Sequence, residues 1–287
     1  MLVTLNDVMK IAEERKIAIG SFNTPNLEGL HAVIEAAQEL ELPVIIQFAQ
    51  CHEPLISLSV IGPIMVEAAK KATIPVCVHL DHGETLEYLQ QALDMGFTAI
   101  MYDGSTLSYD ENSANTRKAV EMAAKTGASV EAELGTMGKR ESGCGDYGEE
   151  DHSKIYTDPE QARVFIADTG IDALACSFGT THGIYLTEPK LDFDVVKNVR
   201  ASTGNIPIVM HGGSGVSKED YKKAIKAGVR KVNYFTYMDK SGGNATAEYI
   251  RNLKENEPVF FSSIVIAGRA AMKENVKAAM KMFAFMD

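Results

Sequence analysis

Three histidines stand where the sequence predicts that buried strands end. They are His82, His182 and His211, each at or just beyond an apolar run. Imidazole is a favoured ligand of Zn²⁺ and other borderline divalent metals, and three protein ligands leave one coordination position open for a substrate. The three histidines are far apart in sequence, so no local spacing motif defines a site. They predict a metal centre only if the fold brings the strand ends together.

Acidic residues accompany these histidines, and Asp81 directly precedes His82. Successive residues of a strand point to opposite faces, so both side chains reach one side only if the strand ends between them. Beyond a strand end, Asp81 can act as an acid or base while His82 binds a metal. The alternative is that Asp81 only orients a histidine. His79 is expected to be structural or to support a metal ligand, and not to be a fourth ligand.

A glycine-rich turn follows the third histidine in the segment His211-Gly-Gly-Ser-Gly. Glycines allow backbone N–H groups to approach an anion, and the start of the following helix favours negative charge. Phosphate sites of α/β barrels often lie in the loops after strands seven and eight. The turn and the nearby segment 233–236 therefore predict a phosphate site, although glycine pairs also mark ordinary tight turns.

The elements that must position these residues follow a regular rhythm. Eight apolar, β-branched runs are typical of parallel strands that are covered on both faces. They span 17–23, 43–50, 75–82, 97–104, 128–135, 172–179, 206–213 and 230–237. Eight β–α alternations within 240 residues favour a closed (β/α)8 TIM barrel, an α/β fold, over the alternative of an open doubly wound sheet. We expect a single domain over residues 1–287 with an additional C-terminal helix in 258–285.

Helical spacing fills the intervals between these runs. Apolar stripes predict helices over 26–41, starting at Asn26, over 111–126, with Gly127 as the C-cap, and over 217–226. A further helix is predicted to start with Pro159 at its first position. The long polar segment 136–157 is expected to be a functional or mobile loop. The segment 239–245 (DKSGGNA) is expected to be a short flexible joint.

Composition excludes several classes of protein. The 28 Lys and Arg residues against 39 Asp and Glu give a net charge of −11, without the basic excess that duplex binding uses. No window approaches ~18 continuous apolar residues, and the N-terminus lacks the pattern of a secretion signal. Cys77 and Cys176 lie in apolar runs and are expected to be buried thiols. The sequence predicts a cytoplasmic protein that binds neither nucleic acid nor membrane.

Taken together, the motifs resemble one family. HLDH at 79–82, VEAELG at 130–135, GTTHG at 179–183, MHGGSG at 210–215 and VNYFT at 232–236 occur in the order and spacing of the class II, metal-dependent ketose-bisphosphate aldolases. This family contains the fructose- and tagatose-bisphosphate aldolases. GSFN at 20–23 also fits the pattern. The resemblance extends from about residue 5 to the terminal helix.

The resemblance implies a role for each matching residue. Asp81 would be the catalytic acid/base, and His82, His182 and His211 would bind Zn²⁺, with Glu133 linked to a second, outer metal position. The substrate-binding residues implied for the dihydroxyacetone-phosphate half are Asn23, Gly183, Gly212, Gly213, Ser214, Asn233, Tyr234, Phe235 and Thr236. A monovalent cation (Na⁺ or K⁺) near the phosphate and a homodimer or homotetramer are also implied.

The sequence departs from the family pattern at several positions. The mobile-loop acid of many relatives has no clear counterpart, and Glu141 is the residue that could fill its catalytic role. Ala49 stands where relatives often have serine, and Glu257-Pro258-Val259 replaces an Asp-Pro-Arg segment. Arg251 and Arg269 are candidate anion contacts, including across a subunit boundary. The aldehyde half of the substrate, its stereochemistry and the choice between fructose and tagatose bisphosphate therefore stay open.

The expected reaction is reversible cleavage of a phosphorylated ketose between C3 and C4, to dihydroxyacetone phosphate and an aldehyde, through a Zn-stabilised enediolate. Asp81 would take the C4 hydroxyl proton, and a loop acid would protonate C3. A Schiff-base aldolase would need a lysine inside the barrel near the strand ends, and Lys231 opens its strand at the wrong end. A zinc hydrolase on a TIM barrel and a non-catalytic sugar-phosphate-binding relative remain alternatives.

Overall fold

Eight parallel strands close into a barrel in the computed structural model, which describes residues 1–135, 156–185 and 188–286. The barrel strands are β2 (Ile19–Asn23), β3 (Val44–Ala49), β4 (Val76–Gly83), β5 (Ala99–Tyr102), β6 (Ser129–Leu134), β7 (Ala173–Cys176), β8 (Ile208–Met210) and β9 (Val229–Tyr234). Each pairs with its neighbours in sequence, and β2 pairs with β9 to close the ring. The predicted (β/α)8 barrel is confirmed.

Helices cover the outside of the barrel. They are α2 (Leu27–Leu40), α3 (Leu58–Lys71), α4 (Leu86–Asp94), α5 (Tyr109–Ala124), α6 (Pro159–Thr169), α7 (Phe193–Ser202), α8 (Lys218–Ala227), α9 (Thr236–Arg251) and α10 (Phe261–Phe283). Asn26 caps α2 as predicted, because its side chain accepts a hydrogen bond from the backbone of Gly29 at 2.7 Å. Pro159 opens α6, also as predicted. The last residue of α5 is Ala124, before the predicted 126. Gly127 ends the following turn as predicted, because its backbone is left-handed, with φ of 75°, and Ala128 N–H donates to Ala123 O at 3.1 Å.

The amino-terminal end of the barrel is closed by α1 (Leu5–Arg15), which follows the two-residue strand β1 (Leu2–Val3). Leu5, Val8 and Met9 of this helix pack against the first inward-facing residues of the strands, including Cys77 and Val209. A second, larger apolar core lies between the strands and the outer helices. Because α1 fills the amino-terminal end, we expect the functional site at the carboxyl ends of the strands, where the sites of such barrels lie.

The predicted flexible joint at 239–245 is wrong, because this segment is part of α9. Its glycines have a packing role instead. A Cβ on Gly242 would lie 2.9 Å from Met272 and 3.4 Å from the carbonyl oxygen of Gly268, both on α10. Glycine therefore lets α9 and α10 approach closely, and the two helices form a tight antiparallel layer beside the barrel.

None of the helices in the described ranges has the length and apolar character needed to cross a membrane. Cys77 and Cys176 are buried thiols, as predicted, and neither forms a disulfide with a described residue. Burial raises the pKa of each thiol to about 12, so both stay protonated at neutral pH.

Candidate active site at the barrel mouth

An irregularity in β4 brings Asp81 and His82 to the same side of the sheet. The pairing between β4 and β5 shifts register between Leu80 and Gly83, and His82 has a left-handed backbone with φ of 45°. Such a conformation is uncommon for a residue with a side chain and departs from the regular alternation of a strand. Asp81 Oδ1 consequently lies 3.9 Å from His82 Nε2. The two side chains share one side because of a bulge within the strand, and not because the strand ends between them as predicted.

The three predicted histidines meet at the carboxyl end of the barrel. One ring nitrogen from each of His82, His182 and His211 lies within 4.8 Å of the other two, and all three side chains are buried. His82 Nε2 is 2.9 Å from His211 Nδ1. The ring of His182, from the turn after β7, lies 5.2 Å from that of His82 and 5.6 Å from that of His211 between centroids. The cluster has the size of a single-ion site.

Two carboxylates behind the cluster fix the rings. His82 Nδ1 lies 2.7 Å from Asp103 Oδ2, and His211 Nε2 lies 2.8 Å from Glu131 Oε1. An ionised carboxylate only accepts hydrogen bonds, so these two nitrogens carry the hydrogens. The lone pairs of His82 Nε2 and His211 Nδ1 then face the centre of the cluster. This is the usual arrangement behind metal-binding histidines, and the donor set fits Zn²⁺.

Local electrostatics keep the two carboxylates charged and the imidazole of His211 neutral. Burial alone would raise the pKa of Asp103, but hydrogen bonds from His82 and Ser105 outweigh it and hold the pKa well below its usual value. Burial likewise opposes ionisation of Glu131, and the charge of Lys231 followed by the hydrogen bond from His211 lowers its pKa. Burial lowers the pKa of His211. A metal-binding imidazole must be deprotonated, and the environment of His211 favours that state.

Asp81 is fully buried beside the histidines and is held by three amides. Gln47 Nε2 donates to Asp81 Oδ2 at 2.9 Å, Asn23 Nδ2 donates to the same oxygen at 3.2 Å, and Asn233 Nδ2 donates to Oδ1 at 3.2 Å. Gln47 also donates to Asn23 Oδ1 at 2.7 Å and accepts from Ser21. The network fixes the direction of both carboxylate oxygens.

The sequence analysis missed Gln47, and it did not assign roles to Asp103 or Glu131. Gln47 interrupts the apolar run of β3, and a polar residue inside a buried strand is a signal that a polar partner exists. Asp103 and Glu131 are acidic residues at or near the ends of predicted strands, and this position could have indicated that they belong to the site.

Glu133 lies at the edge of the cluster. Its Oε2 is 3.9 Å from His211 Nδ1, and together with His82 and Asp103 it forms another group of closely spaced metal-ligand atoms. The backbone oxygen of Glu133 accepts a hydrogen bond from Asn112 Nδ2 at 3.1 Å. Glu133 therefore lies at the edge of the three-histidine centre, and the two groups of possible metal ligands share His82.

The predicted phosphate turn lies beside the start of α9. Ser214 Oγ accepts a hydrogen bond from the backbone of Phe235 at 3.1 Å, and Gly213 N–H donates to Asn233 O at 3.1 Å. These bonds join the turn after β8 to the end of β9. Within the described part of the chain, no side chain caps α9, so the N–H groups of its first turn, starting at Thr236, can bind an anion.

Tyr185 joins this turn to the one that carries His182. Its hydroxyl donates to Gly212 O at 2.8 Å and accepts from Thr181 N at 3.1 Å. Gly212 and Gly183 both have positive φ, at 60° and 88°. The two turns therefore form one rigid unit, with Gly183 on the side of His182.

Several predicted site residues lie elsewhere. The ring of Tyr234 packs against Phe22 and Phe283 between the barrel and α10, so its side chain faces away from the mouth. Phe235 is half-buried, with its ring 4.9 Å from that of His52. Glu141 lies outside the described residues.

Two basic residues also differ from expectation. Arg269 forms an ion pair with Glu35 of α2, which engages it within the protomer. Lys231 does not lie at the wrong end of its strand, because its side chain is inside the barrel and fully buried. Its Nζ is 2.8 Å from Glu131 Oε2, so the amine is part of an ion pair.

A closed (β/α)8 barrel with a buried three-histidine cluster and a buried aspartate at its mouth defines a class of barrel proteins with a candidate metal site at the ends of the strands. The sequence of residues 3–287 matches the family described as fructose-bisphosphate aldolase class-II. The fructose-bisphosphate aldolase of Staphylococcus aureus (strain Mu50) is 38% identical over 287 residues, which cover 98% of this chain and 97% of that protein.

A solved structure agrees with this match. The YdjI aldolase from Escherichia coli K12 superimposes with a TM-score of 0.86 and 36% sequence identity, covering 99% of this chain and 97% of that one. The chain belongs to the class II fructose-bisphosphate aldolase family, and the resemblance stated from its motifs is confirmed. Membership makes it a lyase of the aldolase type.

Proposed function

We propose that this protein is a metal-dependent aldolase that reversibly cleaves a phosphorylated ketose between C3 and C4, giving dihydroxyacetone phosphate and an aldehyde. The observation that carries the proposal is Asp81, a buried carboxylate oriented by three amides and 3.9 Å from a histidine of the three-histidine centre. An acid/base group next to a site for an electrophilic metal is what carbon–carbon cleavage beside a carbonyl requires.

Zn²⁺ is the proposed metal, and His82, His182 and His211 are its proposed ligands. When bound, the ion supplies Lewis-acid stabilisation of the negative charge that develops on substrate oxygens. Asp103 and Glu131 hold two of the imidazoles with lone pairs facing the centre. We also propose that Glu133 belongs to a second, outer metal position and that a monovalent cation (Na⁺ or K⁺) binds near the phosphate.

Asp81 moves the proton of the C4 hydroxyl in this proposal. In cleavage its carboxylate accepts that proton as the carbonyl of the aldehyde forms, and in condensation it returns the proton to the new hydroxyl. The amides of Asn23, Gln47 and Asn233 keep the carboxylate oriented, so the base is positioned before substrate arrives. We assign protonation of C3 to a loop acid, for which Glu141 is the sequence-based choice.

The phosphate of the dihydroxyacetone-phosphate half is assigned to the turn that contains Gly212, Gly213 and Ser214. The uncapped first turn of α9 supports this assignment, because its free N–H groups and the helix dipole favour a dianion. Asn233, near the end of β9, and Thr236, the first residue of α9, are assigned to the same phosphate site, together with Gly183 of the neighbouring turn.

The test is an aldehyde-release assay on a panel of ketose mono- and bisphosphates, run with metal-loaded enzyme and after chelation. We expect cleavage of at least one phosphorylated ketose, loss of activity on chelation and recovery with Zn²⁺. His182→Ala should bind the metal weakly and show almost no turnover. A His182→Ala variant that is fully active after chelation and dialysis would exclude the assigned centre.

The same assay separates the rival chemistries. Trapping of the protein by borohydride in the presence of substrate would indicate a Schiff-base mechanism. Release of inorganic phosphate without aldehyde would indicate a hydrolase, and tight binding without any product would indicate a binding protein.

We also infer assembly into a homodimer or homotetramer. Val259, Phe260 and Phe261, at the start of α10, expose more than half of each side chain, and clustered exposed apolar residues are typical of interaction surfaces. Light scattering on the purified protein measures the oligomeric state, and a monomer at all concentrations would contradict the inference.

A further inference from the structure

A layer of polar residues lies directly below the candidate active site, inside the barrel. His79, Glu131 and Lys231 each precede a residue of the mouth by two positions, so they form the next inward-facing layer of their strands. All three are fully buried. Barrel interiors are usually filled with apolar side chains, so a buried charged pair in this position calls for a physical explanation.

Glu131 connects this layer to the three-histidine centre. One carboxylate oxygen, Oε1, is 2.8 Å from His211 Nε2, and the other, Oε2, is 2.8 Å from Lys231 Nζ. The contact with Lys231 is a short ion pair and is not aligned as a hydrogen bond. Lys231 therefore acts on Glu131 mainly through its charge, while Glu131 acts on His211 through a directional bond.

His79, the third residue of this layer, does not balance the negative charge of Glu131. His79 Nε2 is 3.6 Å from Glu131 Oε2, and neither ring nitrogen of His79 forms a hydrogen bond with any described residue. Burial, followed by the charge of Lys231, lowers the pKa of His79 to about 3, so the ring is neutral. Lys231 is the cation that balances Glu131 in this layer.

We propose that Lys231 is a positioning residue for the metal site: by balancing and holding Glu131, it keeps His211 in the orientation in which Nδ1 faces the metal. The inference rests on the proposed function, because it assumes that His211 binds a metal. Lys231 does not touch substrate in this proposal. Its effect passes through Glu131 to the ligand, and loss of its charge leaves a buried carboxylate without a counter-ion behind a metal-binding ring.

The main test compares Lys231→Met with Arg230→Met. Arg230 is the preceding residue of the same strand and is also buried, but its guanidinium pairs with Glu13 of α1, 2.9 Å away between Nε and Oε2. Both substitutions thus remove a buried cation that pairs with a glutamate, and both are expected to lower thermal stability. Glu13 keeps a second ion pair, with Arg200, when Arg230 is replaced. Only Lys231→Met is expected to change the metal site.

The measurement is Zn²⁺ affinity by competition with a chromogenic chelator, together with the absorption spectrum of the Co²⁺-loaded protein. Changes behind a metal ligand typically weaken metal binding by about 10- to 100-fold, and we expect a loss in that range for Lys231→Met. The Co²⁺ spectrum should also change, since the orientation of one ligand changes. Arg230→Met should keep the wild-type affinity and spectrum. A purely structural role of Lys231 would leave both readouts unchanged.

A double variant covers the case in which Lys231→Met does not fold. Lys231→Met/Glu131→Gln removes both charges together, and replacing a buried ion pair by neutral groups is often tolerated. It should fold, and it should bind Zn²⁺ more weakly than wild type because a neutral amide oxygen is a poorer acceptor for His211 than a carboxylate.

The outcomes separate the inference from the proposed function. Wild-type Zn²⁺ affinity and Co²⁺ spectrum in Lys231→Met, or in the double variant, would overturn the positioning role while leaving the aldolase proposal in place. A wild-type protein whose Zn²⁺ binding does not depend on His182 would instead overturn the metal site itself. Borohydride trapping that is lost in Lys231→Met would show that the amine is a nucleophile and would also overturn the positioning role.

Discussion

A single methyl group at Gly212 should separate two of the proposed metal ligands. Gly212 follows His211 directly, and an added Cβ would lie 2.3 Å from the carbonyl oxygen of Thr181 and 3.1 Å from the backbone nitrogen of His182. Both contacts are with backbone atoms, which cannot rotate away as a side chain can. Ordinary contact begins at 3.4 Å, so one turn must move by about 1 Å relative to the other.

The expected effect of Gly212→Ala follows from this displacement. A misplacement of about 1 Å in an active site costs on the order of 100-fold in rate, so kcat of the aldol cleavage should fall by about that factor. Zn²⁺ binding should also weaken, because His182 and His211 move apart. The left-handed backbone of residue 212, with φ of 60°, adds about 1–2 kcal/mol of destabilisation for alanine.

Gly204→Ala is the matched control. Gly204 has a similar φ of 68°, but nothing lies within 4 Å of an added Cβ. It should lower the free energy of unfolding by about 1–2 kcal/mol and leave kcat unchanged. Chemical denaturation measures the stability of both variants, and a coupled aldehyde assay measures their rates. A Gly212→Ala enzyme with wild-type kcat and Zn²⁺ affinity would refute the claim that the two turns form one rigid unit.

Three further substitutions test other parts of the argument. Asp81→Asn should keep metal binding but reduce kcat by about 10²- to 10⁴-fold, the usual contribution of a general acid/base, and wild-type turnover would exclude that role. Tyr185→Phe removes two hydrogen bonds to backbone and should cost about 1–2 kcal/mol in denaturant unfolding, with a smaller loss of kcat than Gly212→Ala. Burial would raise the pKa of Glu13, but Arg200 and Arg230 outweigh it and lower the pKa below 4.5. The stability from these contacts is therefore present above that pH and lost as pH falls below it. Thermal melts should show a steeper acid loss in wild type than in Glu13→Gln, and equal slopes would contradict this.

The fold could be predicted from the sequence because parallel strands covered on both faces are continuous apolar runs. The predicted ends were less accurate. The run at 172–179 contains the strand Ala173–Cys176, and Gly179, with φ of 115°, already belongs to the turn that leads to His182. The error at 239–245 has a different cause. Glycines were interpreted as flexible, whereas Gly242 is required by the close contact of α9 with α10.

The three histidines that meet at the barrel mouth could be predicted from the sequence, but the residues that hold them could not. Histidines at strand ends are visible along the chain, but the partner of each histidine is set by the closure of the barrel. Glu131 reaches His211 across β7, and Asp103 reaches His82 from the adjacent strand. Gln47 belongs to no recognisable motif, and its role became visible only from its hydrogen bond to Asp81 at 2.9 Å.

The pair Asp81-His82 explains why the site also depends on local strain. Regular alternation would place one of these side chains inside the barrel and the other among the outer helices. The left-handed backbone of His82 and the register shift against β5 remove this conflict, at a cost of order 1–3 kcal/mol. The bond between His82 Nδ1 and Asp103 Oδ2 at 2.7 Å helps to offset that cost. The same bond that orients the proposed metal ligand thus stabilises the backbone conformation that brings acid/base and ligand to one site.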